Sequence, residues 1–241
     1  MVPRLDVLVT RSGLAESRER AQALILAGKV RVAGETVRRP DRSVDEGAAI
    51  VVDTEPGYAS RGALKLLPAL DTFRVDPSGR VCADIGASTG GFTDVLLRRG
   101  AAKVYALDVG RGLLHWRLRQ DPRVVVIERV NARAITGFPE AVDLVVIDVS
   151  FIGLQKILPA VRNAAPQAEV VALFKPQFEV GRVEVGKGGI VRNPTAIEEA
   201  VISFRRWCAA NGYAVKAEAA SEVAGAEGNR EIFFHLLPEG A

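Results

Sequence analysis

Asp84-Ile85-Gly86-Ala87-Ser88-Thr89-Gly90-Gly91-Phe92-Thr93 joins a carboxylate at the end of an apolar run to a glycine-rich turn and the start of a helical pattern. Arg80 to Ile85 has the β-branched, apolar character of a strand buried in a parallel sheet, and Phe92 to Arg99 turns helical. Gly86, Gly90 and Gly91 let the backbone come close to a ligand. A dinucleotide fold asks for G-x-G-x-x-G with the pyrophosphate on the helix N-terminus, but Gly86 to Gly91 lacks the second glycine of that pattern. The lysine of a P-loop is also missing. A tight βα turn with no ligand is the plainer alternative.

The turn fits S-adenosylmethionine better than a dinucleotide, because that cofactor has no phosphate and carries a sulfonium cation that Asp84 would face. A second acid, Asp108, closes the apolar run Lys103 to Asp108, where a carboxylate accepts hydrogen bonds from both ribose hydroxyls. NAD enzymes place an acid there too. The chain on either side alternates strand and helix as a doubly wound α/β fold requires. Strands are expected at 80–85, 103–108, 123–127, 143–148, 169–174, 214–219 and 230–237, and helices at 62–72, 92–99, 112–119, 153–163 and 194–211. Asn193-Pro194 marks the last helix, with a capping residue followed by Pro at the first helical position.

The chain has 241 residues, 48% hydrophobic and 25% charged, which is the composition of a globular protein with one sizeable core and room for a small second domain. Cys82 and Cys208 are its only cysteines, on an apolar strand and in a helical run, so neither a disulfide framework nor a zinc site is expected. No apolar run approaches the ~18 residues of a membrane span, and Arg4 and Asp6 interrupt the first apolar segment. A cytoplasmic protein with no metal and no membrane contact is expected.

Asp53-Thr54-Glu55-Pro56-Gly57 has the composition of a linker. The expected division is a small α+β domain over 1–55, a linker over 56–61 and a larger α/β domain over 62–241. In the smaller part, Leu5 to Val9 reads as a helix or turn. Ser17 caps a helix whose Ala21, Leu24 and Ile25 share a face, and Gly28 stops it. Short strands follow at Val30-Arg31-Val32 and Glu35-Thr36-Val37, with a closing strand within Ala48 to Val52. Over residues 1–42 nine basic residues stand against five acidic ones. Arg4, Arg18, Arg20, Lys29 and Arg31, with Arg61 beyond the linker, are candidates to meet a folded RNA backbone, whose phosphate oxygens suit the planar guanidinium. A solvated helix face with scattered charges is the alternative. The run from Ser17 to Gly34 resembles the small RNA-binding domain shared by a ribosomal small-subunit protein, pseudouridine synthases and some RNA methyltransferases.

Charged residues converge on the C-terminal edge of the larger sheet, where open α/β folds bind ligands. Asp148 ends Val145-Val146-Ile147-Asp148, Lys175 ends Val170 to Lys175, Lys65 lies on the helix opened by Ser60-Arg61-Gly62, and Glu231 starts the last strand. Burial and a second ammonium lower the pKa of a lysine into the range of a general base, and flanking carboxylates oppose that shift. Lys175 would orient and deprotonate a sugar hydroxyl, Lys65 would tune it, and Asp148 and Glu231 would hold the geometry. Each residue taken alone also reads as an ordinary surface charge. Phe178 to Asn193, rich in glycine and basic residues, reads as a lid over a substrate or as a flexible loop. His115 and His235 have no evident partner.

Ser60-Arg61-Gly62-Ala63-Leu64-Lys65-Leu66, Asp84 to Asp94 (DIGASTGGFTD), Asp148-Val149-Ser150-Phe151-Ile152 and Lys175 to Gly181 (KPQFEVG) together resemble the TlyA family over nearly the whole chain. The resemblance implies a Rossmann-like, FtsJ-type methyltransferase sheet fused to an N-terminal RNA-binding domain. It further implies methyl transfer from S-adenosylmethionine to cytidine 2′-hydroxyls of ribosomal RNA, free or in a ribosomal subunit; a monomer is expected. It places a catalytic tetrad on Lys65, Asp148, Lys175 and Glu231. The implied cofactor pocket comprises Asp84, Gly86, Ala87, Ser88, Thr89, Gly90, Phe92, Asp108, Asn131 and Ala132. Longer members carry an Arg-x-Trp element where this chain has Pro56-Gly57-Tyr58, and the resemblance to the shorter subgroup implies large-subunit RNA as substrate. Members are also called haemolysins, so a membrane-lytic protein is one rival and a non-catalytic RNA-binding assembly factor another. The pore former would need a spanning or strongly amphipathic segment, and none is evident.

Overall fold

The computed structural model describes residues 3–52, 57–225 and 228–239. The chain forms two compact units, Met1–Gly57 and Tyr58–Ala241. The linker reading at 53–56 lies outside the described residues.

In the first unit, α1 (Leu5–Arg11) and α2 (Arg18–Leu26) pack on a small antiparallel sheet of β1 (Val30–Val32), β2 (Glu35–Val37) and β3 (Ile50–Val52), in the order β2-β1-β3. Ser17 caps α2 by accepting the Arg20 N–H at 3.1 Å, and Gly28 at φ +71° ends it. Ala33 and Gly34 both take positive φ, the backbone of a tight two-residue hairpin whose twist matches its strands. Leu5, Leu8, Val9, Ala21, Leu24, Ile25, Val30 and Val37 form the core. Asp6 is buried beside them. Its carboxylate accepts bonds from Arg4 and Arg18, each at 3.0 Å, and from Gln22 Nε2 at 2.8 Å, which together hold it well below the usual carboxylate range.

The second unit carries a seven-stranded sheet. Its strands are β4 (Val81–Ile85), β5 (Lys103–Asp108), β6 (Val124–Glu128), β7 (Leu144–Ile147), β8 (Glu169–Phe174), β9 (Tyr213–Ala220) and β10 (Ile232–Pro238), in the order β6-β5-β4-β7-β8-β10-β9. β4 to β8 run parallel, and β10 is antiparallel to both β8 and β9. The central strands alternate between two cores because both faces are covered: Val145 and Ile147 enter one, Leu144 and Val146 the other. α3 (Ala63–Phe73) and α4 (Gly91–Arg98) supply the second core through Leu66, Leu70, Val95 and Leu96. α6 (Leu158–Ala164) and α8 (Pro194–Ala210) close the first, where Phe174, Phe204 and Phe234 meet with ring centroids 4.8 to 5.5 Å apart. The strand order reverses between β5-β4 and β7-β8, which opens a crevice at the C-terminal ends of β4 and β7.

Two expected helices are shorter. The pattern at 112–119 yields only α5 (Trp116–Arg119): Gly112 sits at φ +71°, and His115 Nδ1 caps the helix by accepting the Arg117 N–H. The pattern at 153–163 splits into a 3-10 turn at Leu154–Lys156 and α6, because Pro159 is tolerated only in a first helical turn. A last short helix, α7 (Pro176–Glu179), follows Lys175 directly.

Asp6→Ala leaves Arg4, Arg18 and Gln22 without their shared acceptor. Both arginines reach water, so the expected loss is about 2 kcal/mol in the first unit. Hydrogen exchange of the α1 and α2 amides in the full chain measures it. The folded-state pKa of Asp6 is depressed, so its contribution is complete above roughly pH 4 and is lost only as pH falls below that.

Candidate active site

The glycine turn is shaped by what lies against it. A β-carbon on Gly86 (φ +86°) would collide with the carbonyl oxygen of Asp148, so the end of β7 presses on the backbone that leaves β4. Gly91 has the backbone nitrogen of Ala63 2.9 Å from where its β-carbon would be, which lets the starts of α3 and α4 meet. Ser88 adopts φ +48°. Asp108 holds it there, its Oδ2 accepting the Ser88 N–H at 2.8 Å while Oδ1 accepts the Gly110 N–H at 2.7 Å.

Asp84 does not lie on the cleft wall. It is fully buried, and its Oδ2 accepts both the backbone N–H and the hydroxyl of Thr93, at 2.8 and 2.7 Å, in the first turn of α4. Oδ1 has no partner. Burial pushes Asp84 up to about 7, the Thr93 bonds oppose this, and the charges of Asp148 and Asp108 add to it. A carboxylate thus occupies the helix N-terminus that a dinucleotide fold offers to pyrophosphate, and the turn suits a ligand without phosphate.

The cleft has two lobes that share Gly86, Ser88 and Asp148. One, of about 450 Å³, is lined by Ala87, Thr89 and Phe92 together with Arg61 and Lys65. The other, of about 520 Å³, is lined by Asp108, Asn131 and Ala132. Asn131 spends its side-chain oxygen on the Arg133 N–H at 3.0 Å, capping a 3-10 turn at Ala132–Ala134. Gly90 stands behind the wall at φ +96°, with Leu114 and Leu118 where its side chain would go.

Strand ends converge beside the lobes. Ile232 on β10 pairs with Phe174 on β8, so Glu231 and Lys175 are the next residues along their strands, and Asp148 leaves β7 alongside. The charges resolve into two pairs. Lys175 Nζ lies 2.5 Å from Asp148 Oδ1, and Lys65 Nζ donates to Glu231 Oε2 at 2.6 Å. Glu231 and Lys175 are almost wholly buried, at 2% and 8% exposure. Lys65 therefore has Glu231 as its direct partner, where the sequence led us to expect it to act on Lys175.

Ser150 is a residue that sequence reasoning passed over. Lys175 Nζ donates to its Oγ at 3.2 Å. The available signal was its place two residues after the strand-end acid. Phe151, at φ +66° and 92% exposed, stands beside it with its ring 5.4 Å from that of Phe178. The glycine-rich segment read as a lid or loop forms 3-10 turns at Arg182–Glu184 and Lys187–Gly189. Buried Asn229 ties it down by accepting the Val191 N–H at 3.0 Å and donating to the Gly189 carbonyl at 2.8 Å.

Other expectations change. Arg4 and Arg18, read as RNA contacts, are bonded to Asp6 with their side chains about half exposed, and Arg20, Lys29, Arg31 and Arg61 are exposed as well. Both histidines have partners: His115 caps α5, and His235 Nε2 lies 2.6 Å from Glu169 Oε1, stacked on Phe73. Among the described residues no cluster of His, Cys, Asp and Glu could hold a metal ion, and no helix is long and apolar enough to cross a membrane.

The sheet order and the cleft at its reversal define an α/β methyltransferase. The FtsJ-like methyltransferase family matches residues 58–237, and the S4 domain matches residues 3–50. The chain is 49% identical over 240 residues to the 16S/23S rRNA (cytidine-2′-O)-methyltransferase TlyA of Mycobacterium tuberculosis, covering 97% of this chain and 89% of that one. It is 41% identical to Hemolysin A of Brachyspira hyodysenteriae, covering 97% and 99% of the two chains. A solved structure from Streptococcus thermophilus, described as a candidate hemolysin, superposes with a TM-score of 0.74 at 41% identity, covering 99% of this chain and 89% of that one. The chain belongs to the TlyA family of FtsJ-like methyltransferases.

Asp84→Asn tests the capping assignment. The folded pKa of Asp84 is raised, so wild-type stability from this group is greatest below about pH 4 and is lost as pH rises through about 7. The variant lacks that loss. Urea unfolding of the cofactor-free proteins should show the variant gaining about 1–3 kcal/mol on the wild type between roughly pH 5 and 8.

Proposed function

We propose that this chain transfers a methyl group from S-adenosylmethionine to the ribose 2′-hydroxyl of a cytidine in ribosomal RNA. The observation that carries the proposal is the amine of Lys175, held between Ser150 and Asp148, the latter bordering both lobes of the cleft. A neutral lysine has two N–H donors and one lone pair. With Ser150 accepting one donor and Asp148 Oδ1 beside the amine, the lone pair is left for a hydroxyl proton, as a general base requires. The Lys65–Glu231 pair keeps a second cation at the substrate side of the cleft without leaving a buried charge unpaired.

S-adenosylmethionine supplies, when bound, a methyl group made electrophilic by the sulfonium that carries it. The residues fit such a ligand: Asp108 is placed for a ribose, Asn131 and Ala132 line the lobe beyond it, and the turn from Gly86 to Thr89 with Phe92 lines the other. Asp84, behind the turn with an unpaired oxygen, favours a cationic ligand over an anionic one. Lys175 then orients the 2′-hydroxyl and takes its proton as the oxygen acquires the methyl group. In this reading the chain acts in the cytoplasm, as a monomer and without a metal, with exposed Arg20, Lys29 and Arg31 contacting RNA in the S4 domain. Large-subunit RNA is the expected substrate, since 23S is the RNA common to the TlyA methyltransferases of Mycobacterium tuberculosis and Campylobacter jejuni.

Incubation with tritiated S-adenosylmethionine and separated ribosomal subunits, followed by mapping of the labelled ribose, tests the proposal. Label is expected on a cytidine of the large subunit. Lys175→Ala should lower transfer by about 10²–10⁴-fold while calorimetry finds cofactor affinity within about twofold of wild type. Transfer by Lys175→Ala at the wild-type rate would remove Lys175 from the chemistry. Cofactor binding without transfer by the wild type would favour an assembly factor.

A further inference from the structure

Glu179 takes no part in the chemistry above, yet its side chain joins the two loops bearing Lys175 and Asp148 at their far end. Its Oε1 accepts the Leu154 N–H at 2.7 Å, so the last residue of α7 caps the 3-10 turn at Leu154–Lys156. Gly153 makes room for this contact. A β-carbon there would lie 2.7 Å from Glu179 Oε2 and 3.2 Å from the Phe178 carbonyl. The rings of Phe151 and Phe178 meet across the same two loops.

The loops are short and start at reacting positions. Asp148 to Leu154 leaves β7 and carries Ser150; Lys175 to Glu179 leaves β8 and forms α7. Near the strand ends they are joined by Lys175 to Asp148 and Ser150, and at the far end by Glu179 to Leu154. Removing the far joint leaves the 149–154 loop attached to α7 by the ring contact, which has little directional preference.

We propose that Glu179 is a positioning residue for methyl transfer: by bonding Leu154 it sets the height of Ser150 and Asp148 against the amine of Lys175. This rests on the function proposed above. Burial pushes Glu179 up to about 7, against the Leu154 bond and the charge of Lys156. Cys208 on α8 is the other titratable group that acts with it.

The test compares Glu179→Ala, Glu179→Gln and Gly153→Ala. Gln keeps an oxygen for the Leu154 N–H, and Gly153, at φ −76°, accepts an alanine backbone while the new methyl pushes against the carboxylate. Glu179→Ala and Gly153→Ala should each lower kcat by about tenfold or more, with KM for RNA and cofactor affinity within about twofold, because displacement of a reacting group slows the chemical step. Glu179→Gln should recover most of the lost rate. Hydrogen exchange of the Leu154 amide in the cofactor-free proteins should accelerate about tenfold or more in Glu179→Ala and stay near wild type in Glu179→Gln. An unchanged kcat in folded Glu179→Ala or in Gly153→Ala, or a rise in KM alone, would overturn the proposal. The exchange measurement needs neither cofactor nor RNA. Absence of transfer by the wild type would count against the proposed function, whereas continued protection of Leu154 in Glu179→Ala would count against the brace.

Discussion

The carbonyl of Asp148 fills the space that any side chain on Gly86 would need, and the site is arranged around that contact. It brings the ends of β4 and β7 together at the reversal of strand order, so Gly86 and Asp148 both border the two lobes of the cleft. It also directs the Asp148 carboxylate to Lys175 on the neighbouring strand. A β-carbon at position 86 would have to part these strands, and a shift of about 1 Å is enough to cost a reacting group most of its effectiveness.

Electrostatics divides the acids of this unit by task. Asp84 bonds the first turn of α4 and Asp108 the turn that places Ser88, so both shape the pocket before any ligand arrives. Asp148 stands against Lys175, and Glu231 against Lys65. Such pairs add little net stability, because desolvation offsets most of their attraction. Their worth lies in holding amines at fixed points where water is scarce.

The N-terminal unit shows the same economy with arginines. Its basic excess over residues 1–42 looks uniform in the sequence, but Asp6 draws Arg4 and Arg18 into the structure that joins α1 to α2. Both side chains stay about half exposed, and Arg20, Lys29 and Arg31 are exposed as well. A buried carboxylate that collects several guanidinium donors leaves no mark in composition or hydrophobic period, since Asp6 resembles any acid in a first helical turn.

Local pattern determined much of this protein. The apolar runs at 103–108 and 169–174 appear as strands with the expected bounds, because a strand buried on both faces must be continuously apolar. The capped start at Asn193-Pro194 holds for the same kind of reason, its chemistry lying within a few residues. The four charged candidates were legible as strand-end and helix-start positions. Tertiary structure decided what period and propensity cannot encode: which lysine pairs with which acid, that Asp84 turns inward to Thr93, and that Ser150 supports Lys175. Each of these depends on groups distant in the chain or on the direction a side chain takes once its neighbours are packed, and both are set only when the sheet has formed.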